Sequence, residues 1–289
     1  MASVPQSIDE LVALLDLEQI EVGLFRGRQP DTSLQRVFGG QVAGQALVAG
    51  ARTVAPELVV HSMHAYFLRP GDTTVPIVYD VERTRDGRSF STRRIVARQH
   101  GKPIFYTSAS FQVPENGLDH QDPMPESPPP EDCPELGDVL SALTGRPRDV
   151  WDREWAALDV RYAGDSRAGG ALQDPAHPAQ ARVWLRASGT LPDQPWLHAA
   201  VLAYASDLTL LSAALVPHGV FIGDPKLQPA SLDHAMWFHR PFAADRWLLY
   251  DQVSPSASGG RGFATGRLFT EEGILVASVA QEGLLRVVG

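Results

Sequence analysis

The sequence predicts an α+β fold written twice, as two repeats that each wrap an antiparallel sheet around a central helix. Three observations predict it: an internal repeat that stays in register, a shared order of helix then strands, and a proline-rich segment between the copies. Met63-His64-Ala65-Tyr66-Phe67-Leu68-Arg69-Pro70 is echoed by His234-Ala235-Met236-Trp237-Phe238-His239-Arg240-Pro241. Further on, Arg88-Ser89-Phe90-Ser91-Thr92 is matched by Arg261-Gly262-Phe263-Ala264-Thr265, and Gly101-Lys102-Pro103-Ile104-Phe105 by Gly273-Ile274-Leu275-Val276-Ala277. The offset stays between about 171 and 173 positions throughout, which chance similarity would not sustain.

In the first copy a Gly/Ala-rich helix from Gly40 to Thr53 precedes strand-like runs at Leu58 to Leu68, Val75 to Arg83, Ser89 to Arg98 and Pro103 to Gln112. Pro70-Gly71-Asp72, Asp86-Gly87 and His100-Gly101 punctuate them, as hairpins require. In the second copy a helix from Trp196 to Val216 leads into strands near Pro229 to Phe238, Trp247 to Ser254, Gly262 to Phe269 and Ile274 to Leu285. Ser7-Ile8-Asp9-Glu10 reads as a capping box that opens a short amphipathic helix through Leu15. Pro114 to Pro134 is acidic and proline-rich, which suits an extended, exposed linker. The domain map is therefore a first repeat over 1–113, a linker over 114–150 and a second repeat over 151–289.

Composition excludes several functions. A net charge of −9 disfavours general nucleic-acid binding, which needs a basic surface, so a polyanionic ligand would require a local basic patch. No apolar run approaches the roughly 20 residues that span a bilayer, so no membrane partner is expected. The N-terminus lacks a secretory pattern, and the ending Leu285-Arg286-Val287-Val288-Gly289 is neither a peroxisomal tripeptide nor a lipidation box, so the cytoplasm is the expected compartment. The single cysteine, Cys133, excludes an internal disulfide and a multi-cysteine metal site, and its acidic surroundings disfavour a thiolate. Neither metal nor cofactor is expected. His61-Ser62-Met63-His64 has no acids at a convincing ligand spacing, and Gly164-Asp165-Ser166-Arg167-Ala168 lacks the closing glycine of a nucleophile elbow.

Polar residues in apolar surroundings mark candidate chemistry. Asp207 is the only acid in the apolar helix Trp196 to Val216, where a carboxylate is costly unless paired. It either carries chemistry, satisfies neighbouring backbone or caps a break in the helix. Ser231 lies near a strand start, where a hydroxyl commonly bonds to solvent or backbone. Gln281 shares its strand face with Val279 and Gly283, and an amide there needs partners. Asp233 and His234 are adjacent on a strand and face opposite ways, so local hydrogen bonds are expected of them rather than a joint acid/base role. At the repeat offset, Gln281 corresponds to Ala109, Ser231 to about Val60, and Asp207 falls near Gly44-Gln45. Groups needed only for folding should persist in both copies, so this asymmetry favours function for the second set.

Together with Val37-Phe38-Gly39-Gly40-Gln41-Val42, His64 to Gly71, Tyr204-Ala205-Ser206-Asp207, Asp233 to Pro241 and Val279-Ala280-Gln281-Glu282-Gly283, the sequence resembles the acyl-CoA thioesterase II family over nearly its whole length. The resemblance implies a double hotdog that hydrolyses fatty acyl-CoA to a fatty acid and CoA. It implies a catalytic set of Asp207, Ser231 and Gln281, with Asp207 activating a water that Ser231 and Gln281 orient. Ser231 stands where the family more commonly has threonine. Arg88 and Arg261, at matching loop positions, are candidate phosphate contacts. A homo-oligomer is expected, since hotdog proteins usually assemble through their sheets. The rivals are a hotdog enoyl-CoA hydratase or dehydratase, which would need an Asp/His pair, and a non-catalytic acyl-CoA binding protein.

Overall fold

The structure is a computed structural model and describes residues 2–172, 174 and 176–288. The chain opens with β1 (Ala2–Ser3), α1 (Ile8–Leu15), the hairpin β2 (Glu18–Glu21) and β3 (Leu24–Gly27), and β4 (Pro30–Asp31), which pairs in parallel with β1. Ser7 caps α1 by accepting from the Glu10 amide at 3.3 Å, while the Glu10 carboxylate reaches back to the Gln6 amide at 2.7 Å. Next come α2 (Gly39–Ala51) and the meander β5 (Val59–Phe67), β6 (Ile77–Asp86), β7 (Phe90–Gln99) and β8 (Lys102–Gln112). A 3-10 turn (Pro130–Asp132), α3 (Leu136–Thr144) and α4 (Asp149–Trp155) lead to the hairpin β9 (Leu158–Asp165) and β10 (Gln180–Ala187). The second unit continues with α5 (Pro195–Ser206), a 3-10 stretch (Leu210–His218), β11 (Leu227–Ser231), β12 (Asp233–Phe238), β13 (Leu248–Ser258), β14 (Arg261–Thr270) and β15 (Leu275–Val287).

Among the described residues, the larger sheet has the strand order β2-β3-β6-β7-β8-β5-β12-β15-β14-β13-β10-β9, with β11 added on β15. The expected α+β double hotdog is therefore what forms: each unit curves its strands around one apolar helix, and antiparallel pairing of β5 with β12 fuses the two into one sheet. The helices α2 and α5 pack against each other inside this wrap. Glycine makes their approach possible. A Cβ on Gly44 would stand 2.8 Å from the Ala200 carbonyl oxygen, and one on Gly40 would collide with that of Tyr204.

Three sequence expectations need correction. The helix expected over Trp196 to Val216 is broken: α5 ends at Ser206, Asp207 is its C-cap, and the chain resumes as the 3-10 stretch after Thr209. Thr209 is buried with its hydroxyl 2.7 Å from the Gln252 amide nitrogen, a tertiary tie that fixes the bend. Taken as one stretch, Pro195–His218 is long and apolar enough by composition to cross a bilayer, contrary to the expectation that no run is; 83% of its most apolar window is buried inside the protein. The strand expected over Pro229 to Phe238 is interrupted at Leu232. Ser231 pairs with Gly283 but Ala235 pairs with Ala280, so one extra residue is accommodated as a bulge.

The first unit carries the same irregularity between Val60 and Ser62, where Val60 pairs with Phe111 and Met63 with Ala109. The hairpins β2/β3 and β9/β10, which precede each helix, complete the repeat. Residues 114–129 form neither helix nor strand, in keeping with a linker, and the 3-10 turn at Pro130–Asp132 follows; the segment is pinned to the second unit by a Trp184 indole bond to the Pro128 carbonyl at 2.8 Å and an Arg267–Asp122 ion pair at 3.1 Å. The remainder of the expected linker is not linker in form, since α3 and the start of α4 lie within 136–150. Cys133 is buried beside Trp184, Leu249 and Phe269, and burial pushes its thiol above the ordinary range, consistent with an inert side chain.

Candidate active site

The breaks in the second unit's helix and strand bring its polar residues together. Ending α5 at Ser206 leaves Asp207 at the junction between helix and 3-10 stretch, aimed at the sheet. The bulge at Leu232 turns Ser231 toward the same interior, and Gln281 projects from β15 beneath them. The Ser231 hydroxyl donates to Asp207 Oδ1 at 3.0 Å, and the Gln281 amide nitrogen donates to the same oxygen at 2.5 Å and to Ser231 Oγ at 3.0 Å. The three residues named from the sequence thus form one closed triangle.

The first unit supplies the opposite wall. The Gly40 amide at the start of α2 hydrogen-bonds to Asp207, and a Cβ on Gly39 would lie 2.5 Å from Asp207 Oδ2 and 2.9 Å from the Phe67 ring. Only glycine lets the α2 N-terminus come this close to the carboxylate. Burial pushes the Asp207 carboxyl above the usual carboxylate range; the bonds from Gln281 and Ser231 and the Gly40 amide oppose that rise without cancelling it.

Asp207 and Ser231 open onto a cavity of about 760 Å³ between the units. Its walls are mainly apolar, with Phe38, Phe67, Leu140, Trp151, Trp155 and Leu208 prominent. Gln281 is fully buried and is not part of this wall. Four arginines also line the cavity: Arg36, Arg69, Arg146 and Arg167. Arg167 is held by Asp165, whereas the other three have no carboxylate partner among the described residues. Arg88 and Arg261 are elsewhere. Arg88 is exposed in the β6–β7 turn, and Arg261 pairs with Glu282 at 2.9 Å; neither reaches the cavity. The sequence clue that could have found Arg36 and Arg69 is their position flanking the Val37-Phe38-Gly39-Gly40 and Leu68-Pro70 segments.

His234 is placed differently from its neighbour Asp233. Asp233 does bond locally, accepting from the Glu282 amide at 2.6 Å, but His234 faces inward, is fully buried and lies beside Asp207. Its Nε2 is 2.9 Å from Ser206 Oγ, and burial holds the imidazole below its usual range, hence neutral at neutral pH. No group of three or more metal-ligating side chains occurs among the described residues.

Two protein-family profiles match the chain: one described as acyl-CoA thioesterase over residues 170–284, and one described as acyl-CoA thioesterase N-terminal domain over residues 28–112. The human protein named acyl-coenzyme A thioesterase 8 is 41% identical over 287 residues, covering 96% of this chain and 89% of its own length. Acyl-CoA thioesterase 2 of Haemophilus influenzae is 38% identical, covering 96% of this chain and 98% of the relative. Among solved structures, an acyl-CoA thioesterase II from Mycobacterium marinum superposes with a TM-score of 0.81 at 50% identity, over 97% of this chain and 98% of that one. The dehydratase domain of PpsC from Mycobacterium tuberculosis, at 15% identity and a TM-score of 0.52, shares the fold alone. With the triangle of Asp207, Ser231 and Gln281 at the seam of two hotdog units and relatives of this similarity along its full length, the chain belongs to the acyl-CoA thioesterase family, whose members are thioester hydrolases.

Proposed function

We propose that this protein hydrolyses fatty acyl-CoA to a free fatty acid and CoA, with Asp207 as general base. The observation that carries the reading is the Asp207 carboxylate, half-buried where it lines the cavity and fixed by Ser231 and Gln281 through the bonds described above. A thioester needs little more: its carbonyl is electrophilic, and the thiol leaving group has a pKa of about 8.5, so neither a covalent nucleophile nor a strong acid is required. A water held between Asp207 and Ser231 gives its proton to the carboxylate as its oxygen attacks the carbonyl carbon. Collapse of the tetrahedral intermediate breaks the C–S bond, and the departing thiolate takes the proton from Asp207. Gln281 acts from behind: with both amide hydrogens engaged, it orients the water through Ser231 and Asp207 rather than by touching it. The developing oxyanion is met by backbone amides at the α2 N-terminus, where Gly39 borders the cavity.

In this reading the apolar walls take the acyl chain, and Arg36, Arg69 and Arg146 meet the polyanionic CoA end, which supplies the local basic patch that the overall charge requires. The two repeats and their connecting segment form one functional unit, placed in the cytoplasm as a homo-oligomer. The exposed aromatic side chains Tyr66 and Trp237 on the outer sheet face support assembly through the sheets. A dehydratase reading would use Asp207 with His234, but His234 does not line the cavity and has no route to a substrate.

The test is thiol release from a series running from butyryl- to stearoyl-CoA, with wild type beside Asp207→Asn. Wild type should release CoA, and the variant should lose about 10²- to 10⁴-fold in kcat. Near wild-type turnover by Asp207→Asn would remove it as the base, and water addition to enoyl-CoA without thiol release would favour the dehydratase.

A further inference from the structure

Two buried polar atoms next to the triangle are left without partners: His234 Nδ1 and Gln281 Oε1. They belong to facing residues. The β12/β15 register runs Met236 to Val279 and Ala235 to Ala280, so its next step sets His234 opposite Gln281, where cross-strand Cβ atoms lie about 5 Å apart. The matching pair in the first unit, Met63 and Ala109, is in direct register. A single imidazole proton can serve either ring nitrogen. If it sat on Nε2 and went to Ser206, then Nδ1 and Gln281 Oε1 would be two bare acceptors confronting each other in a dry interior, which buried groups avoid. If it sits on Nδ1, each group has a complementary neighbour: the Ser206 hydroxyl can donate to Nε2, 2.9 Å away, and Nδ1–H can turn to Gln281, whose side chain acts on the imidazole as an acceptor that favours its proton.

We infer that His234 is a positioning residue for the thioesterase site: its Nδ1–H holds Gln281 Oε1, which forces the Gln281 amide nitrogen toward Asp207 and Ser231. A free amide could rotate half a turn and present its oxygen to the carboxylate, repelling the base it is meant to hold. With Oε1 anchored, that rotation is closed. The order of donation is Ser206 to His234 to Gln281 to Asp207 and Ser231. A neutral imidazole is required, and complete burial keeps it so. The inference rests on the proposed catalytic reading for its consequence in turnover, but not for its claim about the proton.

The decisive measurement is therefore made on the unaltered protein. Long-range ¹H–¹⁵N correlation with ¹⁵N-histidine label, with the His234 signals assigned by their loss in His234→Asn, should show the Nδ1–H tautomer through the neutral range. An Nε2–H tautomer or an imidazolium would overturn the inference whatever the kinetics show. The kinetic arm compares His234→Asn, whose side-chain amide keeps a donor near the Nδ1 position, with His234→Met, the residue the first unit carries at the equivalent place. His234→Met should lower kcat about tenfold or more with KM unchanged, His234→Asn should recover most of it, and neither loss should persist in a Gln281→Leu background. Equal losses in Asn and Met variants, or a His234→Met effect that adds fully to Gln281→Leu, would also overturn it. If Gln281→Leu alone leaves kcat intact, the catalytic reading fails while the tautomer result still stands or falls separately.

Discussion

The two units have the same bulge in the same strand and opposite chemistry around it. In the first, Val60, Met63 and Ala109 are buried and apolar where the second has Ser231, His234 and Gln281. The first unit does bury polar groups, but it satisfies them locally for structure. Gln45 donates to the Leu14 carbonyl at 2.7 Å and accepts from Tyr79 at 2.7 Å, and buried Arg93 ties the end of α2 down through Thr53 and the Arg85 carbonyl. In the second unit the polar side chains bond chiefly to one another, converging on a carboxylate. What sets the second unit's network apart is that it converges on a carboxylate that faces a cavity, whereas the first unit's buried polar groups close on one another and on nearby main chain. The first unit still contributes its α2 glycines and part of the cavity wall, which explains why two repeats make a single site.

The strongest way to break this comparison is to neutralise its centre. Burial raises the Asp207 pKa, so the native state binds a proton there more readily than the unfolded chain does. Ionising Asp207 therefore costs stability, and the cost grows as pH rises from the unfolded to the folded pKa. Activity needs the ionised form, so kcat/KM should fall on the acid side at a pH above the ordinary carboxylate range. Asp207→Asn should melt higher than wild type, with the gap widening as pH rises through that window and closing at low pH. Melting curves and pH–rate profiles check both halves; an acid limb in the normal carboxylate range, or a variant that melts lower at neutral pH, would contradict the account.

Much of this was legible in the sequence because duplication supplies an internal control. The repeat places the strands close to where they lie, and the missing counterparts of Ser231 and Gln281 mark the unit in which the polar triangle forms. What stayed hidden depends on tertiary contacts. The break after Ser206 is invisible to apolar composition, since Leu208, Leu210 and Leu211 continue the pattern while the bend is fixed by Thr209 and Gln252. The bulge at Leu232 defeats strict alternation, and with it the reading of which side chains share a face. Strand parity separated Asp233 from His234 correctly, but said nothing of what His234 meets inside. Arg88 and Arg261 occupy hairpin ends that match between copies, yet those ends are exposed and do not line the cavity. The β9/β10 hairpin, by contrast, carries alternation in Leu158–Asp165 that could have been read.

A second, smaller effect sharpens the comparison from the other side. Ala109→Gln copies the second unit's amide into the first. Ala109 is fully buried against Met63, so the longer side chain overpacks the core and brings an amide without partners. Urea unfolding should show a loss of about 1–3 kcal/mol, while thiol release per folded molecule stays at the wild-type level. A gain of activity, or an unchanged unfolding midpoint, would mean that the first unit is not committed to an apolar interior.

The smallest effect concerns Ser231 itself. Ser231→Thr keeps the hydroxyl that bonds Asp207 and Gln281 and adds a methyl group, for which the adjoining cavity gives room. Branching at Cβ limits χ1, so the hydroxyl spends less time away from the carboxylate. The expected result is a kcat within about threefold of wild type with KM unchanged, whereas Ser231→Ala, which leaves Gln281 and Asp207 without their shared partner, should lose about tenfold or more. The pair of variants separates the hydroxyl's bonding from the side chain's bulk. If threonine were as damaging as alanine, room beside the hydroxyl and not its hydrogen bonds would govern turnover, and the triangle would have to be redrawn without Ser231.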